Sequence, residues 1–285
     1  MSVITFSNRD EKETGQTYTV AAIASQLAIN HNYKILMIST DFKDETLERC
    51  FFPKKKVQSI VQNNPYLQSR SGLATDVSNG FEGLLRAFQS NRASVDSIKS
   101  YTKPILRDRL DLLPAPGTPD RKEYYNLSTH FSQIAEVASK AYDVVFVDMS
   151  YDTPIESQEK LYNISSIVVM GLTQNQNALD DFLKLKQSNP FFLKDNVMIC
   201  MGRYNPQSRY SAKNVSRYLR EKNLPLVVPY NILFADYCTE GKAIDYLTNM
   251  TRITNKDDEN YQFLKMLNQT AEALDYKRQQ IELGM

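Results

Sequence analysis

The chain has 285 residues, 42% of them hydrophobic, enough to bury one large α/β core. Its 34 Lys and Arg offset 33 Asp and Glu, so bulk charge makes no case for nucleic acid, and any basic surface must be local. Three scattered cysteines (Cys50, Cys200, Cys238) and two histidines argue against a disulfide framework and a zinc site, and fit a reducing cytoplasm.

In chain order, VITF at 3–6 reads as a strand. Val20, Ile23, Ala24, Leu27 and Ala28 recur at helical spacing, which predicts an amphipathic helix over 17–29. KILMIS at 34–39 is a second strand, and DLLP at 111–114 a shorter one. A helix over 121–141 leads to DVVFVD at 143–148, the clearest strand in the chain. Strands at 166–172, 196–202 and 225–231 follow, with helical segments between them. Segment 51–79, with PKKK and scattered Asn, Gln and Pro, reads as a surface excursion. Segment 258–283 reads as a polar helix with Phe263, Leu264, Leu267, Ala271 and Leu274 on one side. Near-continuous apolar strands separated by helices predict a doubly wound, mostly parallel α/β sheet covered on both faces, with right-handed crossovers. No repeat or boundary is visible, so 1–285 is expected to be a single domain. Neither a signal peptide nor a spanning helix is expected, since no stretch of about 18 apolar residues occurs.

A strand, a turn with one glycine (ETGQT, 13–17) and a helix, in that order, have the shape of a phosphate cradle. Backbone N–H groups and the helix N-terminus hold phosphates there, a lysine adds charge, and Ser or Thr holds magnesium. Here T-G-Q-T stands in place of x-G-K-[ST]. Gly15 suits the turn and Thr17 supplies a hydroxyl, but Gln16 supplies no charge. The bulky, partly acidic RDEKE before it is unfavourable to phosphate. Downstream, Asp148 closes the best strand, where P-loop proteins hold their magnesium-bound water.

Together these residues resemble the ParA/MinD family of deviant Walker A ATPases, including the TadZ/CpaE branch associated with pilus assembly. On the family's loop pattern, K-G-G-x-G-K-[ST]-[ST], the last four positions fall on Gly15, Gln16, Thr17 and Tyr18, with Thr14 before them. The signature lysine falls on Glu11, with Lys12 beside it as a substitute if the loop shifts by one. The D-x-D after the second strand falls on Ser39-Thr40-Asp41, so its first aspartate is missing and its second present. The N-R near the base falls on Gly202 and Arg203. PYN at 229–231, then EGKAIDYL at 240–247, is similar to the closing segment, where backbone near Pro229 faces the base.

This resemblance, covering residues 3 to about 247, implies a P-loop NTPase fold of the SIMIBI type. It implies ATP or ADP with Mg2+ held by Lys12, Thr14, Gly15, Gln16, Thr17, Tyr18, Arg203 and Pro229, with Thr17 and Asp148 at the metal. In an active enzyme Asp41 and Asp148 are the catalytic residues. Face-to-face homodimers and a protein partner from a partition, secretion or pilus system are also implied. Loss of the lysine removes a charge-assisted contact of roughly 1.5–3 kcal/mol. The expectation is therefore a partitioning or positioning factor with a degenerate site, a dimeric scaffold with weak or no hydrolysis. The alternative is an active, ATP-dependent DNA-partition ATPase that uses Lys12.

Six basic residues between Arg203 and Lys222 face one acid, Glu221. Arg209, Lys213, Arg217 and Arg220 are candidates for non-specific DNA contact, with Lys213, Arg217 and Arg220 on one helical face. A solvated helix is favoured over that reading because total charge is near balance. The final helix lacks the apolar face of a membrane-targeting tail, so it is expected to dock on the domain, without stable membrane insertion.

Overall fold

A computed structural model describes residues 2–9, 14–42, 44–53, 80–90, 98–118 and 120–284. The strands are β1 (Ser2–Asn8), β2 (Ile35–Ser39), β3 (Lys103–Leu106), β4 (Leu110–Leu113), β5 (Val144–Asp148), β6 (Ile167–Leu172), β7 (Val197–Tyr204) and β8 (Leu226–Pro229). The helices are α1 (Gln16–Asn30), α2 (Thr46–Arg49), α3 (Phe81–Gln89), α4 (Arg121–Ser128), α5 (Phe131–Ala138), α6 (Ile155–Ile164), α7 (Gln176–Ser188), α8 (Ala212–Leu219), α9 (Ile232–Thr239), α10 (Ala243–Met250) and α11 (Glu259–Glu282).

The strands form one sheet in the order β3-β4-β2-β5-β1-β6-β7-β8. Every pairing is parallel except β3 with β4. Because side chains alternate along a strand, each central strand feeds both faces. Ile4, Phe6, Val144 and Phe146 pack towards α1, α10 and α11, while Val3, Val145 and Val147 pack towards α3, α4 and α5. A third cluster, with Val168, Met170 and Met201, lies under α7 and α8. Helix α1 carries Ala21, Ala22, Ala24 and Ala28, all buried, which lets its backbone lie close between the sheet and α11.

The doubly wound reading holds, with two corrections. The helix expected over 121–141 is two helices, α4 and α5. No Gly or Pro interrupts it; instead the Ser128 and Thr129 hydroxyls donate to the carbonyls of Tyr125 (2.8 Å) and Asn126 (2.7 Å), competing with the backbone ladder. β3, which holds Pro104, adds an antiparallel edge strand that the sequence reading did not include. The expected excursion at 51–79 opens with Phe51 packed in the core, and 54–79 lies outside the described residues. Helix α11 docks as expected, burying Phe263, Leu267, Ala271 and Leu274. Its Arg278 is buried against Asp275 (2.7 Å) and Glu282 (2.7 Å) and stacks on Tyr33. Among the described residues no helix is long and apolar enough to cross a membrane.

Candidate functional site

In an open parallel sheet the crevice forms beyond the carboxyl ends of the strands, where the winding reverses. Here β1 lies between β5 and β6, and its exit leads into α1. Asp148 ends β5 in register with Phe6 of β1 on one side and Ser39 of β2 on the other. The loop before α1, the segment after β2 and the segment after β5 thus meet above one carboxylate.

Gly15 caps α1 in the left-handed conformation (φ 64°), and no side chain caps the helix. The first-turn N–H groups of an uncapped helix are suited to an anion. Thr14, Gly15, Gln16, Thr17, Tyr18, Asp41, Asp148 and Arg203 all line one cavity of about 340 Å3. The structure therefore brings these eight expected residues to one cavity; Lys12 lies outside the described residues. Pro229 lines an adjoining cavity of about 180 Å3 with Tyr230, Asn231 and Phe234; Gly15, Tyr18 and Arg203 form the shared wall.

Gln16 does not reach outward. Its Nε2 donates to Asp148 Oδ1 at 2.7 Å and to the Met149 carbonyl at 3.0 Å. Both amide hydrogens are thus directed at the protein. Burial pushes the Asp148 carboxyl up to about 6; hydrogen bonds from Gln16 and Thr17 pull it down, and Asp41 and Asp44 push it up. The described residues of the cavity carry the carboxylates of Asp41, Asp44, Asp148 and Asp152 against the guanidinium of Arg203. Asp152 is paired with Arg121.

The tips of β2 and β5 are bound to each other. Ser150 N–H donates to Thr40 Oγ1 (2.9 Å), and Tyr124 O–H donates to the Thr40 carbonyl (2.7 Å). Burial raises the Tyr124 hydroxyl well above its ordinary value, so it stays a neutral donor.

At Gly202, where the resemblance led one to expect an amide side chain, there is no room for one. A Cβ there would lie 2.1 Å from the Thr14 carbonyl oxygen, so the loop backbone occupies the space an asparagine would need. Arg203 follows at φ 50°, a strained conformation for a residue with a side chain. Its Cγ would be 2.9 Å from a Cβ on Gly15, so the loop and the tip of β7 fit only because both positions are glycine.

Several residues of the cavity were missed by sequence reasoning: Asn8, Phe42, Asp44, Thr46, Tyr151 and Asp152. A signal existed for one pair. Asp44 Oδ1 accepts from Thr46 N–H at 2.8 Å, a local turn that D-x-T encodes. The basic candidates lie elsewhere: Arg209, Lys213, Arg217 and Arg220 are exposed on and around α8. The expected stripe stops at Arg217, because Arg220 leaves the helix as its left-handed cap (φ 56°).

No protein-family model matches the chain, and no curated protein is detectably similar to it in sequence. Solved structures are similar in fold. A ParA family ATPase from Chlorobium tepidum TLS superposes with a TM-score of 0.68 at 15% identity, covering 95% of this chain and 97% of that one. The septum site-determining protein MinD of Pyrococcus horikoshii OT3, complexed with Mg-ADP, gives 0.61 at 12% identity over 97% and 98%. A plasmid partition protein of Borrelia burgdorferi B31, bound to AMPPNP, gives 0.58 at 16% identity over 97% and 99%.

Proposed function

We propose that this chain, which has the fold of the ParA and MinD ATPases, is a partitioning or positioning factor that acts as a homodimeric scaffold in the cytoplasm, with weak or no ATP hydrolysis. The observation that carries this reading is the Gln16–Asp148 hydrogen bond. At the position where the family's lysine contacts phosphate, this chain has a neutral amide whose hydrogens are already engaged. Other parts of a nucleotide site fit. The uncapped α1 with Gly15, Thr14 and Tyr18 suits a phosphate, Thr17 and Asp148 would hold Mg2+, and Arg203 and Pro229 line the adjoining cavity for a base. Bound Mg2+ would neutralise phosphate charge; Asp41 and Asp148 would order water if turnover occurs. The partner is a protein of a partition, secretion or pilus system.

The test is calorimetric titration of ATP with Mg2+ into the natural chain and Gln16→Lys, with turnover and oligomeric state followed in parallel. The expected result is a dimer indifferent to nucleotide, weak or flat heats for the natural chain, and binding gained in the variant. A dimer that appears only with ATP, or brisk turnover by the natural chain, removes the reading.

A second reading, an active ATP-dependent partition ATPase that uses Lys12 and holds DNA non-specifically, draws on the exposure of Arg209, Lys213, Arg217 and Arg220. It predicts Mg-ATP binding by the natural chain and DNA retention that falls steeply with salt.

A further inference from the structure

The Gln16 carboxamide is oriented by two acceptors at once. With Nε2 placed on Asp148 Oδ1 and the Met149 carbonyl, exchanging its oxygen and nitrogen would set oxygen against two oxygens. Its Oε1 is therefore fixed, and that atom is buried without a hydrogen-bond partner among the described residues, on a side chain only 8% exposed. Asn8 lies on the same cavity: its Nδ2 donates to Thr14 Oγ1 at 3.1 Å, and its Oδ1 is buried without a donor among the described residues. Buried acceptors left unmade are costly, and native structures rarely keep them without a reason.

A polyanion satisfies neither oxygen, because it brings more acceptors. A cation satisfies both. Among the described residues no three His, Cys, Asp or Glu side chains gather as a metal site, so carboxylates alone do not make one. The set available is amide oxygen, amide oxygen and carboxylate, all hard donors of the kind Mg2+, Mn2+ and Ca2+ select.

We propose that Gln16 Oε1, Asn8 Oδ1 and the Asp148 carboxylate hold a hard divalent cation that needs no nucleotide, and that this ion supplies at the loop the positive charge a lysine would carry. The inference asks nothing of ATP and goes beyond the scaffold reading. It makes Gln16 a ligand where the sequence shows only a loss.

Mn2+ is the probe. Titrating it into the full chain without nucleotide, and following the free-ion electron paramagnetic resonance signal, should show one site per chain from which Mg2+ displaces it. Gln16→Met, which removes the oxygen, should weaken binding at least tenfold. Gln16→Glu, which keeps an oxygen there and adds charge, should tighten it about tenfold, a gain that a misfolded variant cannot produce. The proposal is overturned if the natural chain retains no Mn2+, if Gln16→Met binds as well as the natural chain, or if Gln16→Glu binds more weakly. Retention of Mn2+ only when ATP is added would overturn it too, while leaving a nucleotide site in place.

Discussion

Gln16 donates to Asp148 across 2.7 Å, joining the first turn of α1 to the tip of β5 through two buried side chains. By the sequence resemblance alone, a lysine and a metal-binding carboxylate would be expected at these two positions. In this chain the two residues serve each other.

Removing that donor leaves Asp148 Oδ1 and the Met149 carbonyl without it. Gln16→Met is expected to lower stability by about 1–3 kcal/mol, measured by urea unfolding at pH 7.5 in the presence of chelator. In combination with Asp148→Asn the two effects should be non-additive, since the residues are in contact.

Gly202 sets how close β7 comes to the loop. A methyl group there would meet the Thr14 carbonyl oxygen at 2.1 Å, a backbone atom that cannot swing aside, and the Thr19 hydroxyl at 2.8 Å. Gly202→Ala should cost about 1–3 kcal/mol, and Gly202→Asn more, read as a fall in melting temperature.

Arg278 is enclosed with Asp275. Its Nε donates to Asp275 Oδ1 at 2.8 Å, and Tyr33 and Gln279 donate to the other oxygen at 3.1 and 2.7 Å. Arg278→Met would leave a buried carboxylate without its counter-charge, an expected cost of about 3–5 kcal/mol. Adding Asp275→Asn to that variant should restore more than half of the loss in the same denaturation assay.

Burial holds the Asp111 carboxyl above the ordinary carboxylate range, although the Tyr142 hydroxyl, donating at 2.7 Å, pulls it down. The folded state therefore binds this proton more tightly than the unfolded chain does. The stabilisation it contributes is present at low pH and is lost as pH rises through the folded value. Tyr142→Phe removes the donor and pushes Asp111 further up. The variant should be destabilised by about 1 kcal/mol more at pH 7 than at pH 4, a difference visible in paired urea titrations.

Much of this architecture was legible because it is written in local patterns. Short apolar runs rich in β-branched and aromatic residues, such as VVFV, read as strands covered on both faces, and 3.6-residue spacing marked α1 and α11. The expected residues at the loop converge on one cavity because strand order carries them there. What escaped depends on partners distant in sequence. β3 is a strand only because β4 turns back on it, and Asn8 joins the cavity through its bond to Thr14. The break between α4 and α5 is a contest between hydroxyls and amides for the same carbonyls, which periodicity does not register. At Gly202 the letter missing from the family pattern is a steric requirement, visible only once the loop lies against β7.

Helix α1 is held from both sides. The sheet lies beneath it, α11 lies above, and Gln26 and Asn30 tie its far end to Asn268. Those contacts hold the helix along its length, so the uncapped turn at its head is anchored by the core beneath it. The tips that follow β2 and β5 are yoked to each other by the Thr40, Ser150 and Tyr124 bonds, so a ligand that displaced one would pull on the other. Helix α4 shares that yoke, since Arg121 and Tyr124 on its first turns bind Asp152 and the Thr40 carbonyl, so strain at either tip is felt by the same helix.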